Sequence, residues 1–384
     1  MKRSYYKKIL WCIVVASSIG FVSCSDSDPE PTTAVETMVR FSVVTSGQME
    51  TRSTPKPDDG TKWGDQYKDE AGDVFDNRLL KEGFKVVFTS NDCNTVLSTL
   101  TVFEQDAPGQ NGSYAFRGIV PPDDVTTLQR YPNAKIHVIA NAGYVDISTS
   151  SAFGNLSFTK AGQASTVGAI PMWGVHTVDF SKLKKGEIFD AGSIDLLRSL
   201  AKVEIKVSTD VGNVITGLTS ASVSETNGQG YLLPNSWNNV SDTKDINFED
   251  TMHEYYSHTG TSGNMLPDDT NAKTITFYLP EIENDKGQIY ISLAYKYLGK
   301  DGKETTGANC TVSFAEYAAG KPTANYNDIV RNHLYRFTVS RKQEQENAEI
   351  TIKYTVCPMK SLEANIPESV SYTHLRAHET RSNL

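Results

Sequence analysis

The chain has 384 residues with 37 basic and 46 acidic side chains, a formal charge of −9. Once a leader is set aside, that length suits two domains of about 100–200 residues, each with enough chain to bury a core of its own. The mild acidity, with no Lys/Arg-rich stripe beyond the N-terminus, excludes a general nucleic-acid binder.

Residues 1–23 read as a signal peptide. Lys2, Arg3, Lys7 and Lys8 make a positive start, and the apolar run from Ile9 to Ala16 follows. The run is too short and wrongly flanked for a spanning helix. The small residues before Cys24 resemble the lipobox of bacterial lipoproteins, with Phe21 where Leu is commoner. Cys24 is therefore the candidate lipidation site. Each buried CH2 of an acyl chain contributes about 0.8 kcal/mol, so several chains hold a protein firmly. The other reading is a secretory signal with an incidental Cys. Residues 24–37, beginning Cys24-Ser-Asp-Ser-Asp-Pro-Glu30, read as an acidic flexible tether and resemble the surface-export signals of some Gram-negative lipoproteins. The expected location is the outer face of the outer membrane.

From there the pattern is all-β. Short runs alternate apolar and polar residues between Gly, Asn, Asp and Pro, as in sandwiches and barrels. Strands are expected at Val39–Val44, Phe84–Phe88, Lys135–Ala140, Lys202–Val207, Thr274–Leu279, Gln288–Tyr297, Leu334–Val339 and Glu349–Val356. Residues Gln288 to Val312 form the strongest hairpin, because Asp301-Gly302 tolerates the positive φ of a tight turn. Long helical periodicity is absent, and Asp195–Leu200 is the one candidate for a helical turn. The expected domains are 38–207 and 208–368, with an atypical tail at 369–384.

Beyond Cys12 and Cys24, the cysteines are Cys93, Cys310 and Cys357. They are widely spaced and odd in number, which fits neither a disulfide framework nor a zinc motif. One bridge is open to them; buried free thiols are the expectation.

Spacing also rejects the common catalytic constellations. His253 and His258 stand five apart, whereas a zinc-protease helix needs four. No nucleophile elbow, phosphate loop or dinucleotide fingerprint occurs. Asp58-Asp59 and Asp268-Asp269 lack the calcium-loop pattern and read as solvated turns. No metal, cofactor or enzymatic activity is expected. The 18 tyrosines and 4 tryptophans suit either a sugar-stacking face or, more simply, strand packing.

The order of landmarks resembles the fimbrillin family, the subunits of type V pili. A first strand at Val39–Val44 leads to Gln48-Met-Glu-Thr-Arg52-Ser53, similar to the family's arginine cleavage segment. Lys135–Gly143 is similar to its strand ending in Ala-Asn-x-Gly. Ile170-Pro-Met-Trp-Gly174, Leu197-Arg-Ser-Leu-Ala-Lys-Val-Glu-Ile205 and Val330-Arg-Asn-His-Leu-Tyr335 follow in the family's order. The resemblance covers Cys24 to about Glu368. It implies two transthyretin-like sandwiches and a lipoprotein precursor. It also implies an arginine-directed protease cutting between Arg52 and Ser53 to release the first strand, with Val39, Phe41 and Val43 as its inward residues. A strand from a neighbouring subunit's C-terminus would then fill the groove. The implied partners are other fimbrial subunits, that protease, the outer membrane through the lipid, and host or bacterial surface ligands.

The simpler alternative for Arg52 is an ordinary surface arginine in a Thr/Ser/Pro/Gly/Asp-rich stretch open to proteases. Residues 369–384 depart from the family, because they lack the apolar alternation of a donor strand. Two rival functions are a glycan-binding lipoprotein of a nutrient-uptake complex and an extracellular hydrolase. The first predicts exposed aromatics on one face. The second needs a carboxylate pair about 5–10 Å apart in a cleft.

Overall fold

β-Branched and aromatic residues alternating with polar ones make strands buried on one face. In the computed structural model such strands account for nearly all regular structure. The structure describes residues 36–45, 75–80, 84–100, 103–105, 113–142, 156–159, 169–225, 229–253, 272–307, 309–342 and 350–359.

The first half contains β1 (Met38–Thr45), β2 (Lys85–Thr89), β3 (Val96–Leu100), β4 (Phe103–Gln105), β5 (Ser113–Ile119), β6 (Ala134–Ala140), β7 (Ser157–Thr159), β8 (Met172–Val178) and β9 (Ile188–Arg198). Eight of these form a sheet in the order β3-β2-β6-β8-β9-β1-β5-β4. It bends where Met172 and Trp173 of β8 pair with Arg198 and Leu197 of β9, giving two four-stranded layers. Val39, Phe41 and Val43 of β1, Phe116 of β5 and Ile194 of β9 meet Val86, Phe88, Ile136 and Val138 of the other layer in one buried cluster. Each such side chain contributes about 1.5–3 kcal/mol when fully buried. A short helix α1 (Pro122–Leu128) adds Val125 and Leu128 to that core. Pro122 and the first-turn acids Asp123 and Asp124 suit its N-terminus.

The second half contains β10 (Ala201–Val207), β11 (Ile215–Val223), β12 (Gln229–Tyr231), β13 (Thr274–Leu279), β14 (Tyr290–Leu298), β15 (Glu304–Thr306), β16 (Cys310–Ser313), β17 (Ala315–Ala318), β18 (Lys321–Tyr326), β19 (His333–Ser340) and β20 (Thr351–Pro358). One layer runs β13-β10-β19-β20 and the other β11-β14-β15, with β16 also on β14. Val203, Ile205, Phe277, Phe337 and Tyr354 of the first layer share a core with Leu218, Ile291 and Leu293 of the second. The architecture is thus an all-β sandwich fold. β10 has the same kind of place here that β1 has in the first half: antiparallel to one neighbour and parallel to the other.

The expected hairpin forms at β14 and β15. Gly299 N donates to Lys303 O at 2.8 Å, and Gly302 takes φ +74. One expectation is corrected. Asp195–Leu200 is no helical turn, because β9 runs on to Arg198. Ile194 and Leu196 enter the first-half core while Leu197 joins a cluster on the opposite face. Covered on both faces, the strand loses its alternation and reads as a helix-like apolar run. Beyond Ser199-Leu200, Ala201–Val207 pairs with β13 and β19.

The outer face of β2, β6 and β8 is covered from the second half. Leu232, Leu233, Val240, Ile246 and Phe248 pack with Val87, Ile139, Trp173 and Val175. Lys135 and His137, on the polar positions of β6, are consequently buried. Lys135 Nζ donates to Asn238 O at 2.7 Å.

Candidate functional site

The first strand sits in the middle of its layer. β1 pairs antiparallel with β5, from Met38 opposite Ile119 to Val44 opposite Ser113, and parallel with β9, from Met38 opposite Ile188 to Thr45 opposite Leu196. Its alternate residues Val39, Phe41, Val43 and Thr45 are fully buried. Phe41 stacks on Phe116 at 5.6 Å, and Phe116 meets Phe84 of the opposite layer at 4.5 Å. At its start, Met38 N donates to Glu187 O, and Val120 N donates to Thr37 O.

The outer face of this layer carries charges in register. Arg117 on β5 faces Arg40 on β1, and Arg40 faces Asp190 on β9. Arg40 Nη2 donates to Asp190 Oδ2 at 2.6 Å, with the side chains 43% and 56% exposed. Partial burial opposes ionisation of Asp190, but the Arg40 guanidinium and the Gly192 N–H outweigh it and hold the carboxyl below the usual range. The register between β1 and β9 shifts between Arg40 and Ser42. Gly192 supplies the positive φ (+80) there, and its N–H caps Asp190 Oδ1 at 2.9 Å.

The inner end of β1 runs into a polar network buried between the halves. Thr45 Oγ1 donates to Asn77 Oδ1 at 2.8 Å. Arg198 donates to Asn77 Oδ1 (2.5 Å), to the Asp76 carbonyl (2.7 Å) and to Asn332 Oδ1 (2.8 Å). Asp76 also receives Lys202 Nζ and the Tyr278 hydroxyl, each at 2.6 Å. Asn332 accepts on its carbonyl from Met359 N at 2.7 Å. Of the residues quoted for the family resemblance, Arg198, Lys202 and Asn332 therefore meet in this network. Asn141, at φ +59, donates to the Arg78 and Ile170 carbonyls and accepts from Leu80 N. Tyr335 bridges the Asp328 carbonyl and Val330 N. Sequence reasoning used these as ordered landmarks and missed their task. The available signal was charge inside apolar runs, since Arg and Lys are buried only when paired.

At the other end of the described chain, β20 lies at the edge of its layer against β19. Ile352, Tyr354 and Val356 enter the second core, and among the described residues the buried Tyr354 hydroxyl has no hydrogen-bond partner.

Cys24, Arg52, Ser53 and the tail 369–384 lie outside the described residues. Among the described residues, no group of three or more His, Cys, Asp or Glu is placed to hold a metal ion. Cys93 Sγ stands 3.8 Å from His137 Nε2, but the pair is not an activated nucleophile. Burial raises the thiol pKa, and burial, then Lys135, lowers the imidazole to about 3. Among the described residues, no disulfide joins Cys93, Cys310 and Cys357 to one another. No described helix is long and apolar enough to cross a membrane.

No family model and no curated protein matches the chain in sequence. Solved structures do match in shape. A candidate cell adhesion protein from Parabacteroides distasonis is 13% identical, over 86% of this chain and 98% of that one, with a TM-score of 0.52. The C-terminally truncated tip fimbrial protein Mfa3 from Porphyromonas gingivalis is 12% identical, over 84% and 99%, at 0.49. A candidate cell adhesion protein from Bacteroides uniformis is 11% identical, over 75% and 95%, at 0.44. The chain shares the fold of the first of these.

Proposed function

We propose that this protein is a structural and adhesive subunit of a cell-surface fimbrium, assembled by strand exchange and without enzymatic activity. In this reading it is exported as a lipoprotein through Cys24 and held at the outer membrane. An arginine-directed protease cuts after Arg52, β1 leaves, and a strand from another subunit takes its seat. The partners are other subunits and surface ligands.

The observation that carries the reading is the position of β1. It is the first described strand, joined to the next described segment at Phe75 through residues 46–74, yet it occupies the centre of a layer. Its loss would strip two rows of backbone groups, on β5 and β9, and uncover an apolar floor. Each buried group left unpaired costs about 1–3 kcal/mol, so the cut protein would recruit a strand. The fold shared with a candidate cell adhesion protein and the family resemblance of the sequence support the same reading.

Limited trypsin digestion followed by sizing tests it. Cutting at Arg52 should release β1 and yield higher oligomers, and Arg52→Ala should abolish both. Release of β1 with a monomeric, intact sandwich would overturn the polymerising role.

A further inference from the structure

Aromatic side chains such as Tyr295, Tyr335 and Tyr354 fill the second core, but two others stand in solvent. Tyr290 is 38% exposed and Tyr326 39%, and both stand at the end where β14 begins. Tyr290 is the first residue of β14. Tyr326 closes β18, and its ring lies on Gly287, in the turn that leads into β14. A Cβ built on Gly287 would come within 2.2 Å of the ring carbons. Gly287 also takes φ +66, so the turn needs glycine for its backbone and again for the ring. Tyr326 is thereby held against backbone on one side and open to solvent elsewhere.

The floor beside Tyr290 is uncharged and hydroxylated. Val223, Ile291, Leu293 and Val312 enter the core, so the residues that alternate with them point outward. Ser222 stands opposite Ser292, Ser292 opposite Thr311, and Tyr290 opposite Ser313. Ser224 Oγ accepts from Tyr290 N at 3.0 Å and donates to Gln288 O at 2.8 Å, which fixes the backbone that carries the ring. We propose that this face binds a neutral glycan chain, with Tyr290 and Tyr326 stacking on sugar C–H faces and the serine and threonine hydroxyls bonding to sugar hydroxyls. This rests on the adhesive half of the reading above, and names its ligand class.

The surroundings select that class. A protein partner calls for a desolvated apolar centre, and serine, which dominates this floor, is depleted from protein interfaces. The other exposed large apolar side chains among the described residues lie away from the pair: Ile188 on β9, Val211 before β11 and Leu298 at the far end of β14. Glu283, Asp285 and Asp328 gather at the Gly287 turn against Lys286. Burial, and then the charges of Asp285 and Glu283, hold the Asp328 carboxyl above its usual range, although the Asn284 N–H opposes them. Such a field repels acidic sugars and phosphate.

Affinity electrophoresis of the purified precursor tests this, in gels carrying a glucan, a galactan, a mannan or, as the acidic counterpart, polygalacturonate. At least one neutral polymer should retard the protein, and polygalacturonate should not. Tyr290→Ala and Tyr326→Ala should each weaken retardation about tenfold, the scale of one stacked ring, while Tyr290→Phe should bind as wild type. Retardation by no neutral polymer, equal retardation by polygalacturonate, or binding that survives loss of both rings would overturn the proposal. Each would leave the strand-exchange reading standing, since oligomers after cutting at Arg52 decide that one. Adhesion to cells that needs both tyrosines, yet is unchanged after periodate oxidation of the cells' sugars, would assign the face to a protein partner and overturn the proposal too.

Discussion

Arg331 Nη2 reaches Glu281 Oε2 at 2.7 Å with both side chains almost wholly buried, 1% and 3% exposed. The same guanidinium donates to the carbonyls of Tyr231, Leu232 and Leu233. It thereby ties the segment covering β2, β6 and β8 to the start of β19. Glu281→Ala leaves that cation without its counter-charge and should cost about 3–5 kcal/mol. Urea unfolding measures this; a loss below about 1 kcal/mol would show that the pair is not desolvated.

Phe41 and Arg40 are neighbours on β1 with opposite surroundings. Phe41→Ala opens a hole against Phe116 and should cost about 3–5 kcal/mol. Arg40→Ala removes an exposed ion pair and should cost no more than about 1 kcal/mol. Equal losses in thermal unfolding would contradict the assignment of inner and outer faces.

His137 makes stability depend on acid. Its Nδ1 accepts from Trp173 Nε1 at 3.3 Å and its Nε2 lies 3.0 Å from Thr89 Oγ1, an arrangement for a neutral ring. Burial, then the Lys135 charge, lowers its pKa to about 3, whereas the unfolded imidazole takes a proton near pH 6.5. Between those values the unfolded state binds more protons. Stability should therefore be full above about pH 6.5 and fall as pH drops toward about 3. His137→Gln should flatten that slope in urea midpoints taken at pH 7 and pH 4.5, and an unchanged slope would assign the acid effect elsewhere.

Cys24→Ser should leave the precursor unlabelled by a metabolic fatty acid, because the apolar run before it is too short to anchor the protein alone. Equal labelling of wild type and variant would remove Cys24 as the attachment point.

The legible parts of the fold were those where one face meets solvent. β1, β13 and β14 keep strict alternation because their outer faces are open, and Asp301-Gly302 announces its turn by backbone chemistry. β6 and β9 were harder. A segment more than ninety residues downstream of β6 lies over it, so Lys135 and His137 occupy positions that local pattern assigns to water. No local rule reports such a cover. The junction was half legible: Arg198, Lys202 and Asn332 stood out by order along the chain. Asp76, Asn77 and Tyr278 carry no local mark, because their roles exist only once strands far apart are brought together.

The pairing of β1 with β9 also sets an order of events in time. Arg40 and Asp190 are 150 residues apart in sequence, so β1 leaves the ribosome with no parallel partner until β9 has followed it. Pairings this distant slow folding. In the interval Val39, Phe41 and Val43 travel as a bare apolar stripe, the form that holdase chaperones and stray strand edges capture. Pulsed hydrogen exchange during refolding should find the amides of β1 and β9 protected together, in the last phase. A strand that docks last onto layers already formed is also the one whose departure leaves most of the remaining order in place.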